Sequence, residues 1–261
     1  MTDALDRPLP ASDDPWSVLR SATRARVALG RAGDALPTAR ELEFRAAHAA
    51  ARDAVHQPLD PDLVRAALDS ALDSTALGPA LESLEVHSAA PDRATYLQRP
   101  DLGRELAAGT SLPRADADLA VVIADGLSPR AVHEHAAGLV TALLERLPGW
   151  SVAPLVLAHQ ARVALGDAVG EALGVRAVVV LIGERPGLSS ADSLGVYLTW
   201  DPRPGRVDAE RNCVSNVRPP HGLSYAQAAD TVAALLGAAR ELGASGVVLK
   251  DEGPALPAGA G

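Results

Sequence analysis

The stretch Val178-Val179-Val180-Leu181-Ile182-Gly183-Glu184-Arg185-Pro186-Gly187 changes character at a single peptide bond. A run of β-branched and leucine residues stops at a glycine, a carboxylate, a guanidinium, a proline and a second glycine. Uninterrupted apolar character predicts a strand buried on both faces, as in parallel sheets. Gly183 and Gly187 permit backbone conformations that bulkier residues resist, and Pro186 disfavours a helical Arg185. A rigid polar loop therefore follows a central strand, at the end of an open α/β sheet where ligands bind. The same residues are also compatible with a plain structural turn carrying a surface ion pair.

Outward from this stretch the pattern is strand, loop, helix, repeated. Leu119 to Ala124 is an apolar strand. Asp125-Gly126-Leu127-Ser128-Pro129 is a loop in which Ser128 can cap a helix and Pro129 can occupy its first position. Val132, Ala136, Leu139, Val140, Leu143 and Leu147 form the inward face of that helix. Ser151 to Ala158 includes a strand, and Arg162 to Leu173 is a helix in which Gly166 and Gly170 allow close packing. Val175 to Ile182 is the central strand and Gly195 to Trp200 a fourth, followed by an irregular segment from Asp201 to Pro220. Ser224 and Gln227 form a capping box for a helix through Leu242, and Gly246 to Lys250 reads as a last short strand. Strands separated by helices imply crossover connections, so the expected fold class is α/β, a parallel sheet flanked by helices.

The N-terminal part is mainly helical. Residues 1–14 read as a flexible leader. A helix is expected from Trp16 to Gly30, and a second from a Thr38/Glu41 capping box to about Val55. Asp60-Pro61 starts a third, with Val64, Leu68, Ala71 and Leu72 inward. Ser83 to Ser88 suggests a short strand, and Asp101 can cap a short helix. The main boundary falls in Ala107 to Ala117. The expected organisation is a leader (1–14), a helical region (15–117), a sheet domain (118–250) and a loose tail (251–261).

The chain has 261 residues and a net charge of −9, with one lysine, Lys250, and one cysteine, Cys213. The charge sign disfavours nucleic acid, and a single cysteine excludes an internal disulfide or a multi-cysteine metal site. The N-terminus lacks the features of a secretory signal and no apolar run could span a bilayer, so a cytoplasmic location is expected. No Gly-x-Gly-x-x-Gly follows a strand, and P-loop, His-Glu-x-x-His and Gly-x-Ser-x-Gly motifs are missing. His133 and His135 flank Glu134, but residues two apart face different sides of a helix. They are poor joint ligands, and a solvated helix start is the simpler reading. The sequence therefore names no catalytic or metal-binding residue. It offers instead four segments that a parallel sheet would bring to one edge: the Asp125 loop, Arg162-Val163, the Glu184 loop and the Cys213 loop. Each also has a plain reading. Asp125 can serve only as a cap, Val163 as core, Glu184 and Arg185 as a pair, and Cys213 as a small buried hydrophobe.

Five motifs in order carry a resemblance: Gly30-Arg31-Ala32-Gly33, Tyr96-Leu97-Gln98-Arg99-Pro100-Asp101-Leu102-Gly103-Arg104, Asp125-Gly126-Leu127-Ser128, Leu181-Ile182-Gly183-Glu184-Arg185-Pro186-Gly187 and Glu210-Arg211-Asn212-Cys213-Val214-Ser215-Asn216. With them the chain, from about Arg20 to Leu249, resembles the small (light) subunit of ethanolamine ammonia-lyase, an ammonia lyase dependent on adenosylcobalamin. The resemblance implies a Rossmann-like domain that forms one wall of the cobalamin site. It implies a large-subunit partner that carries the substrate site, and a hetero-oligomer of large and small subunits. Cofactor contacts carry over to Val163, Glu184 and Cys213. Packaging in a bacterial microcompartment is a further implication. A non-catalytic Rossmann-like scaffold module, pairing through the helical N-terminal half, is the competing reading.

Overall fold

The computed structural model describes residues 16–23, 25–73 and 82–249. The expected leader and tail lie outside them. The chain divides into two compact units, Met1–Ala50 and Ala51–Gly261.

The first unit holds α1 (Ser17–Ala22) and most of α2 (Thr38–His56). α1 is shorter than the helix expected through Gly30. Thr23 leaves it in extended backbone, and the Thr23 hydroxyl accepts a hydrogen bond from the Ala25 amide at 3.1 Å. This local bond offers the chain an alternative to another helical turn. α2 ends within a residue of expectation.

The second unit is built on six strands: β1 (Ser83–His87), β2 (Leu119–Ala124), β3 (Leu155–His159), β4 (Ala177–Gly183), β5 (Leu194–Trp200) and β6 (Arg211–Val217). Their order across the sheet is β1-β3-β2-β4-β5-β6. The first four are mutually parallel, whereas β5 and β6 are antiparallel to their neighbours. The fold is α/β as expected, but the sheet is mixed. The reason lies in the connections. The parallel strands are joined through helices, while β4 and β5 are linked only by residues 184–193, too short a link for a parallel crossover. β1, which precedes the 107–117 segment, is the outer strand of this same sheet.

The helices are α3 (Pro61–Asp73), α4 (Arg93–Gln98), α5 (Pro129–Glu145), α6 (Leu165–Leu173) and α7 (Tyr225–Leu242). α3, α5 and α7 pack on the face that carries Val121, Ile123, Val179 and Leu181. α6 packs on the other, against Ala120, Val122, Val178 and Val180. β2 and β4 are buried at every position because both faces are covered. The caps follow the sequence: Ser128 Oγ accepts from the Ala131 amide, and Ser224 and Gln227 complete their box. A Cβ at Gly166 would strike Val180, and one at Gly170 would lie 2.5 Å from Pro202, so both glycines admit close packing.

Two readings are corrected. Asp201 to Pro220 is not wholly irregular, since it contains β6. Its polar residues hide the strand because, among the described residues, β6 has β5 as its one neighbouring strand and carries a cavity wall on one face. Gly246 to Lys250 is not a strand. Gly246 takes φ +86, donates its amide to Asn212 Oδ1 at 2.7 Å, and opens a 3₁₀ turn over Gly246–Val248. Lys250 lies outside the described residues.

Candidate functional site

The strand order sets the site. From β2 the chain passes to β3 on one side, then crosses over to β4 on the other. The helix after β2 covers one face of the sheet and the helix after β3 covers the opposite face. A crevice therefore opens outside the carboxyl ends of these strands, at the topological switch point. A cavity of about 840 Å³ lies there. Its walls come from the turn after β2 (Gly126, Leu127), the start of α6 (Arg162, Val163, Ala164) and the end of β4 with its loop (Ile182 to Arg185). The adjoining strands β5 and β6 add Tyr197, Arg211 and Cys213.

The loops are locked to one another by backbone contacts. Gly126 has φ +55, and a Cβ there would collide with the Gly183 carbonyl. A Cβ on Gly183 would in turn collide with the Ser128 carbonyl. The Leu127 amide donates to the Gly183 carbonyl at 2.9 Å. Asp125 does not cap α5. Its buried carboxylate accepts from the amides of Gln160 and Ala161 at 2.8 and 2.9 Å, and Arg93 Nη1 stands 3.3 Å away. Burial pushes this carboxyl above its ordinary value, opposed by Arg93 and the two amides. Asp125 thus fixes the turn that delivers Arg162 and Val163.

Tyr96 completes that turn. Its hydroxyl donates to the Ala161 carbonyl at 2.9 Å, and the guanidinium groups of Arg93 and Arg162 lie over its ring at 4.8 and 4.3 Å from the centroid. Gly103 admits the ring: a Cβ there would meet Tyr96 at 2.8 Å. The motif Tyr96 to Arg104 was read from sequence as part of the helical region, yet Tyr96, Pro100, Asp101 and Arg104 line the cavity. Its signal was the tyrosine and glycine among arginines, which sequence spacing alone does not place.

Val163, Glu184 and Cys213 come together on the walls of this one cavity. Glu184 does not pair with Arg185. The hydroxyls of Ser193 and Ser215 donate to its Oε2 and Oε1, each at 2.5 Å, and the Asn216 amide approaches Oε2 at 3.4 Å. Those donors orient the carboxylate above Gly195, where a Cβ would lie 3.0 Å from Oε1. Cys213 is not in a loop but within β6, opposite Tyr197 of β5 and exposed. Although the residue as a whole is exposed, partial desolvation of its sulfur raises the thiol's pKa, against a hydrogen bond from Tyr197 that lowers it.

Behind Cys213 lies a buried ion pair. Arg211 meets both oxygens of Asp167 at 2.6 and 2.7 Å and also reaches Thr199 Oγ1 at 2.9 Å. Although burial opposes its charge, Arg211 is held above its ordinary value by Asp167. The pair ties α6 to β6, two residues from Cys213. His133 and His135 have separate partners, as their spacing predicts. His133 Nε2 accepts from the Asp60 amide, and His135 Nδ1 bonds the Tyr225 hydroxyl. His135 is buried rather than solvated, because Tyr225 covers it from α7.

Fold and site define an α/β protein with a cavity at its topological switch point. The particular family follows from comparison: residues 13–250 match the ethanolamine ammonia-lyase light chain family, and the chain belongs to it. It is 52% identical to the ethanolamine ammonia-lyase small subunit of Rhodococcus erythropolis, over 91% of this chain and 90% of that one. With the small subunit of Ralstonia nicotianae it shares 52% identity, covering 99% and 97% of the two chains. The small subunit of Azotobacter vinelandii is 54% identical over 93% and 90%. Among the described residues no helix is long and apolar enough to cross a membrane.

Proposed function

We propose that this chain is the small subunit of an ethanolamine ammonia-lyase and that its switch-point cavity is one wall of an adenosylcobalamin site. The observation that carries this reading is the convergence of Val163, Glu184 and Cys213, from three separate parts of the chain, on that cavity. The residues suit a corrinoid. Val163, Leu127, Ile182 and Tyr197 offer apolar surface for a flat macrocycle. The oriented Glu184 carboxylate can accept hydrogen bonds from amide side chains on the ring's rim, and Arg104, Arg162 and Arg185 can meet its phosphodiester. When bound, the cofactor supplies a carbon radical by cleavage of its cobalt–carbon bond, chemistry that belongs to the cofactor. The small subunit's part is to bind and orient it, and to exclude water from one side. The substrate amino alcohol and the release of ammonia and acetaldehyde belong to the large subunit.

The sheet domain, in this reading, is the Rossmann-like cobalamin-binding part, and the helical region 15–117 is where the large subunit docks. Leu42 and Phe44 on α2 are exposed, at 59% and 44%, which supports that assignment. Assembly into a large–small hetero-oligomer in the cytoplasm, packaged in a microcompartment, completes the proposal.

Glu184→Ala removes the oriented acceptor and leaves Ser193 and Ser215 without their partner. In the reconstituted large–small complex it is expected to raise the cobalamin Kd by about 10- to 100-fold, the loss of one hydrogen bond to a charged group. The complex should still form, because Glu184 faces the cavity. Equilibrium dialysis with cobalamin reads the affinity and gel filtration the assembly. Unchanged affinity would remove Glu184 from the site.

A further inference from the structure

Three acceptors face one another beside α5. His135 is 6% exposed, and its Nε2 is buried without a hydrogen-bond partner among the described residues. That nitrogen lies 4.0 Å from Glu134 Oε2 and 3.8 Å from Asp192 Oδ2. One atom from each residue falls within 4.8 Å of the others. The three come from α5 and the loop between β4 and β5, and none of them lines the cavity described above.

Each group is held from behind. Tyr225 bonds His135 Nδ1 at 2.9 Å, and its hydroxyl also lies 3.5 Å from the Glu134 carbonyl. If Nδ1 carries the proton and donates to Tyr225, Nε2 presents a lone pair toward the carboxylates. Arg130 occupies Glu134 Oε1 at 2.6 Å, and Arg218 stands 3.6 Å from Asp192 Oδ1. Both carboxylates therefore keep one oxygen for an arginine and turn the other toward the imidazole. In that tautomer the Nε2 lone pair and the two anionic oxygens repel unless a positive centre lies between them. Separations of 3.8 and 4.0 Å are within a few tenths of an ångström of the roughly 3.3–3.6 Å edge between donors in a tetrahedral site with 2.0–2.2 Å zinc–nitrogen or zinc–oxygen bonds.

We infer that Glu134, His135 and Asp192 form a binding site for a divalent transition-metal ion of the zinc class, distinct from the ligand cavity. The imidazole selects such an ion over magnesium or calcium, which prefer all-oxygen sites. The two arginines moderate affinity by neutralising the carboxylates, and Arg130, 44% exposed, does so less because solvent screens it. An ion here would pin the β4–β5 loop to α5 close to where Ser128 Oγ donates to the Ala191 carbonyl at 2.6 Å. Among the described residues, the second such group, Glu85, His87 and His159, is already engaged internally. Its imidazoles stack 4.4 Å apart within 10° of parallel, and Glu85 already binds Arg65 and His159 at 2.5 and 2.8 Å.

Calorimetric titration of Zn²⁺ into the full, metal-stripped chain tests the site, with Cys213→Ser as the background so that the exposed thiol does not contribute. One ion per chain is expected. His135→Gln and Asp192→Asn should each weaken binding by more than about tenfold. Asp192 lies in a surface loop, so Asp192→Asn keeps the test valid should His135→Gln perturb folding. Absence of binding overturns the inference, as does binding that both variants leave unchanged.

Discussion

Asp167→Ala is expected to lower the stability of the chain by about 3 kcal/mol, because it leaves the buried Arg211 only the solvent-exposed Asp208 carboxylate, 3.5 Å from its Nε, as a counter-charge. The Asp167 and Arg211 side chains are 2% and 3% exposed, so solvent can replace little of what is lost. For a chain of this size the loss corresponds to a fall in Tm of roughly 10 °C. The double variant Asp167→Leu with Arg211→Met tests the cause. It removes both charges and keeps apolar volume, and should recover most of the loss, since a buried pair contributes little net stability over apolar side chains. Urea denaturation of the wild type and both variants measures this. If the double variant is as unstable as Asp167→Ala, packing rather than charge explains the effect. The functional consequence is local. Arg211 and Cys213 share a face of β6, so loosening the strand from α6 displaces the wall that carries Cys213.

Gly183→Ala is the second large effect. The added methyl would collide with the Ser128 carbonyl and lie 2.6 Å from that of Asp125. Both obstacles are backbone atoms of the turn between β2 and α5, so neither can rotate away. Overpacking commonly costs about 1–3 kcal/mol, and disturbing the Leu127 amide to Gly183 carbonyl bond adds about 1 kcal/mol. A destabilisation near 3 kcal/mol is expected, with at least a tenfold loss of cobalamin affinity, because the same peptide units shape the cavity. Gly237→Ala is the control. It sits within α7 with open space around it, and should stabilise the chain by about 0.5–1 kcal/mol. Chemical denaturation of both variants makes the comparison. A neutral Gly183→Ala would show that the loops after β2 and β4 do not meet as described.

Much of this was legible in the sequence, for identifiable reasons. β2 and β4 are buried on both faces, and continuous valine and leucine runs reported that directly. Ser128 and Ser224 act through local hydrogen bonds, so spacing alone located them. β6 escaped because Arg211, Asn212, Ser215 and Asn216 serve tertiary partners, and these substitutions erase the alternation that marks a strand. The antiparallel direction of β5 followed from a short link that sequence periodicity does not weigh. Val163, Glu184 and Cys213 were candidates from the resemblance, and the residues alone left each with an ordinary reading. Their shared cavity, the seating of Tyr96 against Ala161 and Arg162, and the Arg211–Asp167 pair all depend on contacts across about 20 or more residues. No local pattern encodes those.

The central claim is that this chain completes a cobalamin-dependent lyase. Co-expression with an ethanolamine ammonia-lyase large subunit, purification through a tag on this chain, and measurement of acetaldehyde released from ethanolamine with added adenosylcobalamin test it most directly. The account predicts a co-purifying complex whose activity requires both chains and the cofactor. A large subunit that neither co-purifies with this chain nor depends on it for activity would contradict the account.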